Sequence, residues 1–245
     1  MPSSRLSFRP APIPTFCTLC CLAILIALGT WQLQRLEWKS ALIIEFEARA
    51  HTTAIPLSTV AHSQPPPRFQ RVTAPGTWLH DKETQLTGRV FDGNAGYHII
   101  TPFRLTDGRP DGNIVLVNRG WVPERFRTPQ SRPHTLTQSE TIEAIIRLPQ
   151  TKPWLVPDNM PHANDWFTLT IADISRHHQL GNQVITGFTL DAVRAGRGIP
   201  IGSAAHANLR NNHLQYALTW YGLALVLGGI YFVWHAQNGR FVWRR

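Results

Sequence analysis

Near the C-terminal end a histidine, His213, stands immediately ahead of twenty-one residues without a charge, Leu214 to Trp234. If a helix begins near Asn211, then Tyr216, Ala217 and Trp220 fall on the histidine's side, at offsets of three, four and seven. A neutral imidazole beside aromatic and small residues at the edge of hydrocarbon can ligate haem iron. The porphyrin face would rest on the aromatics and its tail in lipid. The plainer reading, which residue physics alone favours, is an amphipathic interfacial histidine whose ring reaches toward water.

A second group is Asn118-Arg119-Gly120-Trp121-Val122-Pro123, which follows the apolar run Ile114 to Val117. It places a guanidinium, a flexible residue and an indole together at a strand end. Arg119 and Trp121 could contact a ligand or partner there, or Trp121 could be a buried ring with Arg119 capping the sheet. The residues themselves favour the second. His177-His178 ends a short predicted helix, where adjacent rings point to different faces. The pair is expected on the solvated surface, with no shared metal. The glycines of Asp92 to Gly96 lack a following helix, so they belong to a hairpin turn and not to a phosphate loop.

Catalytic motifs are missing. The chain has no G-x-S-x-G, G-x-x-x-x-G-K-[ST] or H-E-x-x-H pattern. Cys17-x-x-Cys20 lies in an apolar run with no histidine after it, so covalent haem attachment does not apply. The three cysteines all fall within Cys17 to Cys21 and read as small apolar packing residues, leaving no disulfide framework elsewhere. Two methionines argue against a soft copper(I) site. No catalytic residue is expected.

The elements that must position these residues are set by where the apolar residues fall. Hydrophobic residues are 43% of the 245 and charged ones 16%, well under the roughly 25% of ordinary soluble domains, so the apolar residues are concentrated. Phe16 to Leu33 carries no charge over eighteen residues, and the run after His213 is longer. A spanning helix needs about 20 residues, since about 30 Å of hydrocarbon is crossed at 1.5 Å per residue. Both runs qualify, and Trp31, Trp220, Tyr221, Tyr231 and Trp234 suit interfacial belts. A cleaved signal peptide, with Ala27-Leu28-Gly29 as the site, is the rival for the first run, but Trp31, Leu33 and Leu36 carry the apolar character past it. Nothing resembles a long mitochondrial transit peptide.

The formal charge of +9 is unevenly spread. Five of the arginines, Arg5, Arg9, Arg240, Arg244 and Arg245, lie in two end segments without an acid. More than half the excess therefore sits outside the folded middle, which argues against nucleic acid as a partner. Acid-free basic ends stay in the cytoplasm, so both termini are expected there and the large loop in the periplasm of a bacterial inner membrane. The expected organisation is a basic tail over 1–14, a transmembrane helix over 15–34, a β-rich domain over 35–212, a second transmembrane helix over 213–234 and a basic tail over 235–245.

Within the loop, helical spacing of Leu36, Ile43, Ile44 and Ala48 extends the first helix through Arg35 to Ala50. Ala61 to Arg68 is a stiff, proline-rich connector. Strands are predicted over Phe69–Thr73, Thr84–Val90, Tyr97–Leu105, Asn113–Val117, Thr141–Leu148, Trp166–Thr170 and Gln183–Leu190, and one helix over Ile171–His178. Asp92-Gly93-Asn94 and Asp107-Gly108 are hairpin signals. Pro110 and Pro149 are placed at strand edges. The fold class is thus two transmembrane α-helices flanking a mainly antiparallel β domain of α+β type.

Four blocks in order carry a resemblance. They are Gly29-Thr30-Trp31-Gln32-Leu33-Gln34-Arg35-Leu36-Glu37-Trp38-Lys39, then Phe69-Gln70-Arg71-Val72 with Gly76-Thr77-Trp78, then Gly96-Tyr97 with Pro102 and Val117 to Pro123, and last Asn212 to Tyr221. Together they resemble the Surfeit locus protein 1 family, cytochrome c oxidase assembly factors of mitochondria and aerobic bacteria. The stretch around Trp166-Phe167-Thr168-Leu169 departs from the family pattern, and 124–210 match loosely.

The resemblance implies a non-enzymatic, membrane-anchored factor in the building of haem-copper oxidase. It implies binding of haem a and assistance in its insertion into the catalytic subunit, with His213 as the ligand and metal contact. By the same resemblance Trp31 and Trp38 line the site, beside Tyr216 and Trp220 that the helical offsets already place there, and Arg119 and Trp121 are candidates for propionate contact or partner docking. The implied partners are the oxidase catalytic subunit, haem a synthesis machinery and the lipid bilayer. The alternative is a scaffold that docks on an oxidase subunit and binds no haem.

Overall fold

In the computed structural model, residues 5–60, 65–107, 112–132, 138–193, 198–202 and 211–244 are described. Gly108, Pro110 and the start of the proline-rich connector lie outside them. The chain forms two compact units, one of Met1–Ile44 with Leu209–Arg245, the other Glu45–Asn208.

The first unit holds β1 (Arg5–Phe8) and the greater part of α1 (Pro12–Ala50), with two elements from the far end of the chain described below. Helix α1 is one continuous helix of 39 residues, so the expected extension past Arg35 to Ala50 is present. The expected domain boundary at 35 marks where charges begin and not where the fold changes.

The second unit continues with β2 (Ile55–Pro56), α2 (Leu57–Val60), β3 (Arg71–Trp78), β4 (Thr84–Phe91), β5 (Asn94–Leu105), β6 (Ile114–Pro123), β7 (Ser139–Arg147), α3 (Ile171–His177) and β8 (Thr189–Ala192). The chain then returns to the first unit with α4 (His213–Gln237) and β9 (Phe241–Arg244).

Helices α1 and α4 run antiparallel, and each is the length and composition needed to cross a membrane. Their contacts pair early residues of one with late residues of the other. Ala11 N–H donates to His235 Nε2 at 3.2 Å, and His235 Nδ1 donates to Tyr231 C=O at 2.9 Å. Thr15 Oγ1, donating to Ala11 C=O, accepts from Tyr231 O–H at 2.8 Å. Thr30 Oγ1, donating to Ile26 C=O, accepts from Tyr221 O–H at 3.1 Å. Such side-chain bonds are what can hold two helices together in lipid, where burial of apolar surface drives nothing. The covered positions on α1, among them Thr15, Leu22, Leu25, Gly29, Gln32 and Leu36, recur at three and four residues, the pattern of a long antiparallel pair.

Beyond the helices, β1 and β9 pair antiparallel from Arg5↔Arg244 to Phe8↔Phe241. The basic tails expected over 1–14 and 235–245 therefore include a ladder between Arg5–Phe8 and Phe241–Arg244. Only a pairing between residues some 235 apart creates it, and no local pattern announces that.

In the second unit the sheet order is β2-β3-β7-β8-β6-β5-β4, with β3 also paired to β5. That extra pairing closes β3, β7, β8, β6 and β5 on themselves into a small barrel. The sheet is mixed: β2–β3 and β6–β8 are parallel, and the other five pairings are antiparallel. The mainly antiparallel expectation needs that amendment, because β8 reaches β6 by a crossover that alternation along a strand cannot reveal.

Strand β6 is buried on both faces, which is why Ile114-Val115-Leu116-Val117 reads as an unbroken apolar run. Val115 and Val117 join the interior cluster with Val72, Phe103, Ile146 and Leu190. Ile114 and Leu116 join a second cluster under α3, with Trp166 and Ile174.

The hairpin at Asp92-Gly93 is as expected. Phe91 pairs with Asn94, and φ is +47° at Asp92 and +76° at Gly93, the left-handed pair a two-residue turn requires.

Other strand expectations shift. Strand β3 starts at Arg71 and runs through Pro75 to Trp78, and β6 continues past Val117 to Pro123. Trp166–Thr170 is not a strand. Trp166 forms one bridge to Leu86, and the next amides, Phe167 and Thr168, donate to Asn159 Oδ1. Of Gln183–Leu190 only the end enters β8. Both segments are apolar because they pack beneath the sheet, and packing without a ladder carries the same composition.

His177 and His178 divide between two roles. His177 is exposed, its ring centre 5.5 Å from that of Trp166 in an edge-to-face arrangement. His178 is not solvated as expected: it is half-buried, with Nε2 hydrogen-bonded to Thr84 Oγ1 at 2.9 Å. Burial, then the neighbouring His177 and Lys82, push its pKa down to about 4. His98 is also pushed to about 4, by burial and by Arg89.

Because both folded values lie below the unfolded 6.5, the unfolded chain takes up protons first as pH falls. The β unit is expected to lose stability progressively from about pH 6.5 to about 4, and to be unaffected above that window. Denaturation midpoints of the full chain across this range check it. A flat profile would contradict the buried, neutral histidines.

Candidate functional site

The aromatic and histidine candidates divide between the two units. His213 is the first residue of α4, after Asn212. It is half-buried, and its Nδ1 lies 2.7 Å from Gln32 Oε1 on α1. An amide oxygen can only accept, so Nδ1 carries the proton and the lone pair is on Nε2. A histidine whose Nδ1–H is held by a neighbour and whose Nε2 is open is the arrangement that orients a metal ligand. About two turns further along α1, Asn211 Nδ2 donates to Ser40 Oγ at 3.2 Å and fixes the approach to α4.

Ala217 and Trp220 share the covered side of α4 with His213, as the offsets of four and seven required. Tyr216, at offset three, is 55% exposed and points away from that side. On α1, Trp31 and Trp38 are 50% and 57% exposed. They flank Arg35, whose guanidinium carbon lies 5.9 Å from the Trp31 ring centre and 5.0 Å from that of Trp38. Offsets of four and seven place the three on one side of α1, so the helix presents an indole–guanidinium–indole stack.

Among the described residues none of Trp31, Trp38, Tyr216 or Trp220 makes a ring contact with His213. Sequence reasoning missed Gln32 and Arg35 as site members. Both lie in the Gly29–Lys39 block, yet only the register of α1 on α4 shows that Gln32 is the residue that meets His213.

Arg119 and Trp121 belong to the β unit. Between Ile99 and Ile100 the β5–β6 register slips by one residue, so Gly120 pairs with Ile99, Asn118 with Ile100, and Arg119 is extra. This bulge lets β6 pass through the block that looked like a strand end.

Trp121 is 6% exposed and its indole N–H donates to Arg89 C=O at 3.2 Å. Its backbone exchanges hydrogen bonds with Ile201 at 2.7 and 2.8 Å. The Arg119 guanidinium carbon lies 4.8 Å from the Trp78 ring centre. Trp121 is therefore enclosed by its own sheet. Replacing it with Phe is expected to lower stability by about 1–2 kcal/mol, through one lost hydrogen bond and a small void. Urea denaturation of the full chain checks this, and an unchanged midpoint would mean the ring is not held by the sheet.

Comparison with known proteins turns on the same blocks. The family model described as the SURF1 family matches residues 19–225. The chain belongs to the SURF1 family.

Among its relatives is the "SURF1-like protein" of Monosiga brevicollis, 33% identical over 218 residues, covering 83% of this chain and 80% of that one. The "Surfeit locus protein 1" of Homo sapiens is 31% identical, over 84% of this chain and 72% of its own. A bacterial "SURF1-like protein", from Rickettsia felis, is 32% identical over 86% of this chain and 92% of its own. The SURF1 match begins inside α1 and ends inside α4, so it takes in His213, Gln32 and the whole β unit.

Proposed function

We propose that this SURF1-family chain is a membrane-anchored, non-enzymatic assembly factor for haem-copper oxidase. It holds haem a at the head of α4, with His213 Nε2 as iron ligand, and assists delivery to the oxidase catalytic subunit. The observation that carries this reading is the 2.7 Å contact from His213 Nδ1 to Gln32 Oε1, which leaves Nε2 as the open nitrogen.

The residues present fit the cargo. An imidazole nitrogen is a common haem ligand. The exposed faces of Trp31, Trp38 and Tyr216 offer apolar surface to a porphyrin, and Arg35 offers a guanidinium to its carboxylates. Trp220 packs on the same side of α4 as the ligand.

A lipophilic cargo suits a carrier that holds it at membrane depth. Helices α1 and α4 have the length and composition to span, and the β1–β9 ladder joins the two ends, which supports placing them on one side of the bilayer. The acid-free basic ends favour the cytoplasm for that side and the periplasm of a bacterial inner membrane for the β unit. Haem a synthesis enzymes are the natural donors to such a site.

A scaffold role has its own support. Trp154 and Leu155 are 89% and 74% exposed side by side in the β unit, the kind of apolar tip that docks on a protein. The optical spectrum of the detergent-purified full chain, co-expressed with haem a synthesis enzymes, separates the readings. A co-purifying haem a band is expected. Its absence, with oxidase assembly still dependent on the chain, would establish the scaffold instead.

A further inference from the structure

The β unit contains a cavity of about 430 Å³ that the haem reading does not use. Its volume is within the roughly 300–1,000 Å³ typical of small-molecule sites. One end is polar and charged, lined by Arg89, His98, Asn118, Arg147 and Asp191. Leu86, Leu148, Val156, Phe167 and Leu169 supply an apolar wall, with Gln150, Thr151, Lys152, Thr168 and Thr189 also on the lining.

The polar end is organised by Asn118. Its Oδ1 accepts from Gly120 N–H at 3.1 Å, which fixes the orientation of the amide. Its Nδ2 then donates to Asp191 Oδ1 at 3.1 Å and to His98 Nδ1 at 3.3 Å. With Nδ1 accepting, the His98 proton is on Nε2, which has no hydrogen-bond partner among the described residues. Burial and the neighbouring Arg89 keep that ring neutral, with a pKa of about 4.

The charges can be matched one to one. The second oxygen of Asp191 accepts from Arg147 Nε at 2.6 Å, so that acid and that base answer each other. Lys152 pairs with Asp158 at the rim. Arg89 is left. Its NH2 group makes one long bond, 3.3 Å, to Phe167 C=O. Its Nε–H is fully buried without a partner, and among the described residues no carboxylate lies within ion-pair distance. Arg89 is only partly buried, but its charge lies on the cavity wall without a carboxylate and one of its donors is shut off from water, so an acidic group in the cavity would answer a charge the protein leaves unpaired.

We infer that this cavity is a binding site for a small apolar carboxylic acid, its carboxylate accepting from Arg89 and from His98 Nε2–H. One uncompensated positive charge and one neutral donor suit a monoanion better than a phosphate dianion. The apolar wall suits a hydrocarbon or aromatic body. The site is separate from His213, and its test uses no haem, so either reading can fail without the other.

The test is calorimetric titration of the full chain in neutral detergent with 3-phenylpropionate and with its uncharged amide, 3-phenylpropanamide. Saturable 1:1 binding of the acid is expected, with the amide at least tenfold weaker. Arg89→Gln is expected to weaken the acid at least tenfold while Arg89→Lys retains part of the affinity. Should Arg89→Gln lower the melting temperature, Thr151→Trp, an exposed position on the cavity lining, is expected to block binding by bulk alone. Binding should also raise the His98 pKa above about 4, visible in its imidazole NMR signals. Equal affinity for acid and amide, binding indifferent to both substitutions, or no saturable binding at millimolar acid would each overturn the inference.

Discussion

Replacing His213 by alanine is expected to abolish the haem a band of protein purified from cells that make haem a, while leaving the fold intact. His213 is the first residue of α4 and half-buried, so its removal opens no core and breaks one hydrogen bond, to Gln32. In the proposed site, by contrast, the haem iron would lose the one protein nitrogen assigned to it.

The companion substitution Gln32→Leu sharpens the test. It keeps the imidazole but frees its Nδ1–H, so the ring can rotate or change tautomer. Loss of such a supporting contact ordinarily costs about tenfold to a hundredfold in metal affinity. The expected order is therefore native above Gln32→Leu above His213→Ala, read from band intensity at equal protein. A band of native intensity in His213→Ala would remove this histidine from the site and turn attention to the exposed indoles beside Arg35.

The largest expected loss of stability comes from Gly120→Ala. Gly120 sits at φ +124°, where side chains are rarely tolerated. An added Cβ would lie 2.0 Å from the Ile201 carbonyl oxygen, a backbone atom that cannot swing aside. Relief requires separating the two segments, which breaks the paired hydrogen bonds between Trp121 and Ile201. Strain of about 1–3 kcal/mol and two lost bonds at about 0.5–1.5 kcal/mol each sum to roughly 2–6 kcal/mol, centred near 4.

Gly93→Ala supplies the control. It too has positive φ, +76°, but nothing within 4 Å of the new atom, so only the backbone cost of about 1–2 kcal/mol applies. Chemical denaturation of both variants should therefore separate them by about 2 kcal/mol or more. Equal losses would mean that the approach of Ile201 to β6 is not close.

How much of this was legible beforehand follows from what each signal encodes. The helix α1, the Asp92-Gly93 turn, the apolar run in β6 and α3 came from local patterns, and each is where composition and period placed it. Errors fell where burial and pairing part company. Trp166 and Val184 are buried, yet each forms only a single bridge, and apolarity cannot distinguish a strand from a packed loop. The end of β6 was missed because the apolar run stops at Val117 and Asn118-Arg119-Gly120 was placed at a strand end, whereas in the sheet Arg119 is the extra residue of a bulge and Gly120 makes room for Ile201.

The candidate site shows the same division. His213 was singled out by chemistry and by its place ahead of an apolar run, both properties of neighbouring residues. Gln32 was passed over because what distinguishes it is a partner 181 positions away.

Sequence alone determined the two apolar helices, the β-rich character of the middle, the family and the histidine at the head of α4, since period, composition and motif are properties of short segments. Tertiary structure decided the barrel closure through β3–β5, the β1–β9 ladder, the tautomer that Gln32 imposes on His213, and the unanswered guanidinium of Arg89 in its cavity. Each of these depends on the registration of distant segments, which arises only when the chain closes its loops and buries the surfaces between them.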